Sequence, residues 1–433
     1  MIRPLSLAAA LLALLAGPLQ AAPEDLLDIY RQAQVEDRQL RAAAAELDAV
    51  REAIPQARAA RLPQILLGGD ITQNYQDREG LGSDNFTSNR LGLSLAQSLF
   101  DRAAWLRQGQ ASKQVQQAEV SFTFEEQNLI LRTAQTYFAV LNALADLDAV
   151  RADKEAIGRQ LEQTKQRFEV GLIAITDVHE AQARYDRVLA DEILSRNAVD
   201  SARESLRVLT GNYHPELAGL ADDVPLAEPQ PARMEEWVAA AEKDNLALLA
   251  ARYGIDVARE EIEVRRAGNY PTVDLVAAYA DSHTNSEFGS DLDAGSVGVE
   301  LNVPLYTGGL VQSRTREAAA RLVQASEQLE QARRGVEQQT RDAYRGVIAS
   351  IAVVEALRQA VVSNQSALDA TDAGFEVGTR TVVDVLDAQR DLFQAQRDYS
   401  VARHAYIVST LALKQAVGSL GVADLEQANR LLR

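Results

Sequence analysis

The chain of 433 residues has no cysteine, and this excludes disulfides, thiolate metal sites, cysteine nucleophiles and a lipid-anchored cysteine. Aromatic residues make up only 5% of the sequence, while Ala, Gln, Leu, Glu and Arg dominate, a composition that favours long helices. Basic residues are outnumbered by acidic ones, 44 to 62, and the net charge of -18 repels phosphate backbones. We therefore predict no nucleic-acid partner.

Signatures of catalysis are also missing. The sequence contains no Gly-rich phosphate loop and no nucleophile elbow, and its carboxylates are spread along predicted helices as solvated faces. The four histidines, His179, His214, His283 and His404, lack the spacing of metal ligands. We predict a protein that is not an enzyme, with no cofactor and no metal site.

Long apolar runs are absent after the first residues. Residues 1–21 have the layout of an export signal, with Arg3 before an apolar run from Leu5 to Ala16 that is too short to span a bilayer. No later window offers about 18 consecutive apolar residues. An exported chain of this kind is predicted to be periplasmic, secreted, or held in an outer membrane by strands.

A tandem duplication organises what is present. Phe168-Glu169-Val170-Gly171 is repeated as Phe375-Glu376-Val377-Gly378, and Tyr137 is repeated as Tyr344, both with an offset of 207 residues. Each repeat interrupts a proline-free helical pattern, and the first of these, Asp101 to about Phe168, predicts a helix of roughly 100 Å. The two tyrosines at helical spacing are interpreted as packing residues.

Each half also contains two stretches in which side chains alternate with a period of two. These stretches begin at Gln64, Leu91, Thr272 and Ser296, and polar loops, Gln76 to Ser88 and Asp281 to Ala294, separate the members of each pair. Alternation of this kind is typical of a membrane-spanning hairpin and equally of a soluble sheet with one buried face. Export, the lack of another anchor and the duplication favour the membrane.

Four strands leave open sheet edges, which a bilayer does not tolerate, and the smallest membrane barrels use eight strands. If the strands are in a membrane, several chains are predicted to pool them. A helix that runs on from each strand would continue the wall of such a barrel as a tube.

Several sequence runs resemble one family, the TolC-type outer-membrane channels of bacterial tripartite efflux and type I secretion systems. The resemblance extends over nearly the whole mature chain and is carried by runs such as Thr136 to Ala143, Gln166 to Val178, Leu209 to Tyr213 and Gly378 to Ala388. It implies a mixed α and β membrane protein: a homotrimer whose 12-stranded β-barrel continues into a 12-helix α-barrel, located in the outer membrane with most of its mass in the periplasm.

The resemblance also implies partners and residue ranges. The partners are a periplasmic adaptor, an inner-membrane pump or ABC exporter, and outer-membrane lipid. The ranges are a signal peptide at 1–21, periplasmic helices at 22–60, 101–210, 232–268 and 308–418 with tip turns at 168–177 and 375–384, membrane hairpins at 62–100 and 270–306, and equatorial segments at 211–231 and 419–433.

A gate at the periplasmic tip is implied by the same motif. The family's gate arginine falls on Arg380 and its bonding partners fall on Gln160, Thr176 and Asp177. The family's gate tyrosine falls on Phe375, which lacks a hydroxyl and so cannot donate that hydrogen bond.

A ring of carboxylates at the entrance is expected from Asp384 and Asp387. Their position at a helix start also fits ordinary capping after Thr381, and both roles can hold.

Two other classes of protein remain open from the sequence. A soluble periplasmic coiled-coil adaptor or scaffold would be expected to carry one helical hairpin and one strand module, whereas two of each alternate here. A pilus- or phage-like filament is a weaker alternative. The cargo, drugs or secreted proteins, is not encoded in any motif that the sequence displays.

Overall fold

The computed structural model describes residues 23–78, 82–221, 223–285 and 291–433, so the predicted export signal at 1–21 lies outside the described residues. These residues form ten α-helices and four β-strands. The helices are α1 Leu26–Glu36, α2 Arg38–Arg51, α3 Ala53–Ala59, α4 Arg102–Glu169, α5 Ile175–Thr210, α6 Met234–Asp244, α7 Leu246–Arg266, α8 Leu310–Glu376, α9 Val382–Val417 and α10 Val422–Asn429. The strands are β1 Gln64–Arg78, β2 Gly82–Phe100, β3 Thr272–Thr284 and β4 Leu292–Asn302.

The chain divides into two compact units. The first unit takes the described residues up to 41 together with 125–241 and 338–433, and the second takes 42–124 and 242–337. The mixed α and β fold with four strands and very long helices is confirmed. The assignment of residue ranges to membrane, tip and equatorial parts stays a prediction.

The second unit contains one antiparallel sheet with strand order β1-β2-β3-β4, so the two predicted hairpins are joined through β2 and β3. Register places Ile65 opposite Leu95, Leu93 opposite Tyr279, and Ala277 opposite Val297. These residues share one face of the sheet, because alternate residues of a strand point to the same side, and this part of the face is apolar.

This apolar face is exposed in the single chain. Leu67 is 70% exposed, Ile71 79% and Val297 80%. The outer strands β1 and β4 each have one unpaired edge within the sheet. A sheet of this kind needs both a cover for its apolar face and partners for its edges.

The predicted polar loops Gln76 to Ser88 and Asp281 to Ala294 are wrong, because the strands continue into them. β1 runs to Arg78 and β2 starts at Gly82. Polar side chains pair across this part of the hairpin, where Thr87 Oγ1 donates to Gln73 Oε1 at 2.7 Å. A polar composition was mistaken for a loop, although polar residues can form a ladder whose side chains also pair.

Two predicted helices are broken into shorter ones. The pattern from Pro23 to about Ala60 forms α1, α2 and α3, because the Asp37 carboxylate accepts from Leu40 N at 2.6 Å and because the ring of Pro55 clashes with a helical carbonyl at residue 51. The pattern from Met234 to Arg266 breaks at Asn245, whose side chain caps Leu248 N at 3.1 Å.

Left-handed glycines end two of the long helices. Gly211 has φ +77° after α5 and Gly418 has φ +87° after α9, a conformation that glycine adopts without a steric penalty. Among the described residues, α8 alone has a window of 18 residues long and apolar enough to cross a membrane, and little of that window is buried in the single chain. An amphipathic helix whose apolar side is exposed in a single chain meets the same description.

The core of the first unit forms around the duplicated tyrosine. Tyr137 is fully buried, and its hydroxyl donates to Ala218 O at 2.7 Å. The equivalent Tyr344 donates to Ala232 O at 2.8 Å in a more exposed contact. Both tyrosines therefore hold the segment between the repeats, which contains Pro215, Pro225, Pro229 and Pro231, and this agrees with their predicted role in packing.

Candidate functional site: the paired helical turns

The first interrupted stretch is a tight turn between α4 and α5, which we call the first tip hairpin. Gly171, with φ +77°, lets the chain reverse, and Leu172 N donates back to Arg167 O at 2.9 Å. α5 then begins at Ile175, and Asp177 lies in its first turn, where a carboxylate interacts favourably with the helix dipole. Thr176 and Asp177 are both exposed.

The second interrupted stretch forms an equivalent turn between α8 and α9, the second tip hairpin. Gly378 has φ +80°, and Thr379 N donates to Gly374 O at 2.9 Å. Thr381 and Asp384 then form a capping box, with Asp384 N donating to Thr381 Oγ1 at 3.2 Å and Thr381 N donating to Asp384 Oδ2 at 2.8 Å. The backbone N–H and hydroxyl of Thr381, and then the charge of Arg380, hold the pKa of Asp384 below its ordinary value.

A cleft of about 370 Å³ lies between the two tip hairpins. At one position the Arg167 guanidinium stands 5.2 Å from the centre of the Phe375 ring. At another, Arg184 Nη1 of α5 lies 3.2 Å from Asp387 Oδ1 of α9. The hairpins are therefore tied by a cation–π contact and an ion pair, and a small apolar cluster of Ile157, Val188 and Leu386 packs nearby.

These ties are weak individually. The Arg184 and Asp387 side chains are 30% and 45% exposed, so their pair is worth roughly 0.2–1 kcal/mol. A cation–π contact at a partly exposed site adds about 0.5–1 kcal/mol. The two contacts together therefore contribute only a few kcal/mol at most to holding the hairpins side by side.

The structure brings together some of the predicted gate residues. Gln160, Asp177 and Phe375 all line the cleft between the hairpins, and Gln160 Nε2 also donates to Thr164 Oγ1 at 3.3 Å. Thr176 and Arg380 do not line it.

The position of the Arg380 side chain depends on Gly374 and not on a hydrogen-bond partner. Its Cγ lies 2.8 Å from where a Cβ would stand on Gly374, so only glycine leaves room for the arginine stem there. Within the described residues the Arg380 guanidinium forms no hydrogen bond or ion pair with Gln160, Thr176 or Asp177.

The two predicted entrance carboxylates have different surroundings within one chain. Asp384 is engaged in the capping box, as its position at the helix start suggested. Asp387 faces two arginines, Arg184 at 3.2 Å and Arg390 at 3.7 Å.

Sequence reasoning missed the two arginines that tie the hairpins. A signal for Arg184 existed, since Asp177, Glu180 and Arg184 follow the spacing of one helical face, and Arg184 Nη2 lies 3.5 Å from Glu180 Oε1. Arg167 had no such signal, because its equivalent in the second repeat is Gly374 and the contact with Phe375 depends on tertiary packing. No group of three or more His, Asp or Glu side chains suited to a metal ion occurs in the described part of the chain.

Comparison with known proteins gives a consistent result. A family model described as outer membrane efflux protein matches residues 29–212 and 237–419. Outer membrane protein TolC of Escherichia coli (strain K12) is 44% identical over 424 residues, which cover 94% of this chain and 85% of that protein. Alkaline protease secretion protein AprF of Pseudomonas aeruginosa is 31% identical over 412 residues, which cover 93% of this chain and 86% of that protein.

Among solved structures, the Campylobacter jejuni CmeC outer membrane channel superposes with a TM-score of 0.79 at 13% identity, covering 94% of this chain and 90% of that one. CusC superposes with a TM-score of 0.77 at 18% identity, covering 91% of this chain and 92% of that one. At such identities these structures establish the fold.

Proposed function

The chain belongs to the outer membrane efflux protein family, and we propose that three copies form an outer-membrane channel that conducts cargo passively from an inner-membrane pump to the exterior. The observation that carries the proposal is the sheet of the second unit, which exposes an apolar face and leaves β1 and β4 with free edges. Lipid covers such a face, and the strands of other copies satisfy such edges.

The number of three copies is our inference from the family resemblance, and the strand count is compatible with it. Four strands per chain give twelve in a trimer, which exceeds the minimum of eight in a closed membrane barrel. The opposite sheet face carries polar residues, among them Asp70, Ser94 and Asp274, and Asp274 lies opposite Glu300; such a face suits a water-filled interior.

The tip hairpins act as the gate of this channel. Within the described residues of one chain, Arg380 forms no hydrogen bond or ion pair with Asp177, Thr176 or Gln160, and we infer that the links that close the gate run from Arg380 of one copy to these acceptors of a neighbouring copy. Arg167–Phe375 and Arg184–Asp387 hold the two hairpins of each copy together at rest. Docking of a periplasmic adaptor and an inner-membrane pump or ABC exporter separates them.

Asp384 and Asp387 form the carboxylate ring at the entrance. Three copies bring six carboxylates together around the symmetry axis, which attracts multivalent cations to the pore mouth. Single-channel block by a multivalent cation should weaken in the Asp384→Ala/Asp387→Ala double variant, and unchanged block would remove the ring.

Both kinds of cargo fit this duct. Relatives include a TolC protein, an efflux protein BepC and the protease secretion proteins AprF and PrtF. We propose that the chain serves efflux, type I secretion, or both, since selection of cargo belongs to the pump that delivers it. The family relationship disfavours the alternative of a soluble coiled-coil adaptor or scaffold.

Light scattering of the protein extracted from membranes in detergent tests this proposal. We expect the mass of three chains, retention in the membrane pellet after carbonate washing, and ion conductance in planar bilayers. A monomer that carbonate washing releases and that conducts no ions would contradict the channel and favour the scaffold.

The gate has a separate test in Arg380→Ser. Loss of the guanidinium should raise the open fraction of single channels, while Arg159→Ser, an exposed arginine paired with Glu155 on its own helix, should not. Equal conductance in both variants would refute the role of Arg380.

A further inference from the structure

The helical end of the sheet carries an unusual concentration of arginine. The four segments that join strands to helices, residues 58–63, 100–107, 265–271 and 303–316, contain eight arginines, one aspartate and no glutamate. The described residues of the two hairpin ends on the other side, 70–78, 82–90, 281–285 and 291–293, contain six carboxylates and two arginines. In a chain with an excess of acidic residues, basic charge is thus collected on one side of the sheet.

Most of these arginines have no carboxylate partner. Within the described residues Arg58, Arg102, Arg107, Arg314 and Arg316 form no ion pair, whereas Arg265 and Arg266 are paired along their own helix. All five unpaired arginines are exposed. Elsewhere on the helices most exposed arginines face a carboxylate three or four residues away, such as Arg321 with Glu317.

Aromatic rings hold two of the arginines in place. The Arg61 guanidinium lies 3.3 Å above the centre of the Trp105 ring and donates to Gln108 Oε1 at 2.5 Å. The Arg102 guanidinium lies 4.8 Å from the centre of the Tyr270 ring. Stacking fixes one face of each guanidinium and leaves N–H groups at its edge free to donate.

The four segments belong to one surface of the second unit. Through its contact with Trp105, Arg61 connects the end of α3 to the start of α4, and through its contact with Tyr270, Arg102 connects α4 to the segment before β3. Gly268 of that segment packs against Val311 of α8. We call this surface the arginine–aromatic band.

The band lies next to the exposed apolar face. Leu99 and Phe100, at the end of β2, are 51% and 43% exposed, and Trp105, just over one helical turn further on, is 56% exposed. Arg107 lies about 8 Å into α4 and Arg314 about 6 Å into α8. The headgroup region on each side of a bilayer is about 5–8 Å thick, so the arginines stand at its depth when the apolar face is in the hydrocarbon.

We propose that the arginine–aromatic band binds the phosphate groups of anionic phospholipids in the periplasmic leaflet of the outer membrane. The inference rests on the proposed placement of the sheet in that membrane. Unpaired guanidinium groups supply bidentate donors for phosphate, and the indole and phenol rings occupy the interface between chains and headgroups. The acidic hairpin ends repel the same lipids, so the band recruits them on one side only.

Trp105 reports on the lipid beside it. The chain has two tryptophans, and Trp237→Phe leaves Trp105 as the only indole. The assembled protein is reconstituted in bilayers of phosphatidylcholine with a fraction of phosphatidylglycerol, and fluorescence quenching is compared with bromine on one lipid or on the other. Phosphatidylglycerol counted by native mass spectrometry of the unchanged chain is a parallel readout.

We expect a preference for phosphatidylglycerol at Trp105 of at least about fivefold, the factor that one arginine contributes near an anionic surface. The Arg61→Gln/Arg102→Gln variant should lose most of it, and Arg259→Gln/Arg321→Gln, which removes two exposed arginines of the same unit, should retain it. Inorganic phosphate should reduce the preference no more than chloride at equal ionic strength.

Equal quenching by both lipids in the unchanged band would overturn this inference and leave the membrane placement intact. Loss of the preference in inorganic phosphate alone would assign the band to free phosphate and would also overturn it. An absence of quenching by either lipid would place Trp105 away from the bilayer, and the proposed function would then fail with the inference.

Discussion

Replacement of Arg184 by glutamine separates the two tip hairpins most directly. The side chain joins α5 to Asp387 of α9 at 3.2 Å and also lies 3.5 Å from Glu180 on its own helix. Glutamine keeps a polar side chain of similar length but removes the charge. We expect the closed state to lose the link between α5 and α9. The cation–π contact that remains joins Phe375 to Arg167 of α4 and does not replace that link.

The size of the effect follows from exposure and copy number. A pair with side chains 30% and 45% exposed contributes roughly 0.2–1 kcal/mol. Three copies give about 0.6–3 kcal/mol, which corresponds to a change of roughly three- to 150-fold in the ratio of closed to open channels. Because partly exposed charges are screened by salt, the difference from the parent protein should shrink at about 1 M salt, where the Debye length is about 3 Å.

Single-channel recording in planar bilayers measures this ratio at low and high salt. The matched control is Arg159→Gln, which removes an exposed ion pair with Glu155 within α4 and leaves the link between the hairpins in place. If Arg184→Gln and Arg159→Gln gave the same open fraction as the parent at low salt, the reasoning that the ion pair holds the hairpins would be refuted.

Three further predictions concern buried and aromatic side chains. Phe375→Leu should raise the open fraction by removing the cation–π contact with Arg167, which is worth about 0.5–1 kcal/mol per copy, whereas Phe375→Tyr should not raise it. Equal open fractions for the two variants in bilayer recordings would show that the aromatic ring does not hold the gate closed. Tyr137→Phe should destabilise the fold by about 1–2 kcal/mol and Tyr344→Phe by less, since only the first hydroxyl is fully buried; a reversed order in denaturant titrations would count against this. His404 is 3% exposed, and burial, aided by a neighbouring arginine, lowers its pKa to about 4. The contribution of neutral His404 to the free energy of unfolding is complete above about pH 6.5. It falls between about pH 6.5 and 4, because the unfolded chain takes up a proton there and the folded chain does not, and the loss is about 2 kcal/mol at pH 5. Thermal melts of His404→Phe should not show this loss.

The long elements could be predicted because short stretches of the sequence determine where they begin and end. A proline-free stretch gave α4 to within one residue of its observed ends, and the glycines after Thr210 and Val417 marked the ends of α5 and α9. The breaks around α3 were missed, although Pro55 has no N–H to donate to the carbonyl of residue 51 and its ring clashes with that carbonyl. The strand ends were missed because a polar ladder has the composition of a loop.

The site could be predicted only in part, for a physical reason. Glycines with positive φ fix the two turns locally, so the position of the tip hairpins followed from the repeated motif. The contact of Arg167 with Phe375 depends on the packing of distant helices, which no short spacing encodes. The partners of Arg380 lie, in our account, on other copies, and a single chain does not contain that contact.

A cysteine pair across the tip tests the central claim most directly. The natural chain has no cysteine, so Asp177→Cys/Arg380→Cys introduces the only two thiols per copy. If three copies close the gate through these positions, oxidation should link the chains into a trimer on non-reducing gels and abolish bilayer conductance until a reductant is added. Chains that stay unlinked, with conductance unchanged by oxidation, would contradict a trimeric channel closed at its paired helical turns.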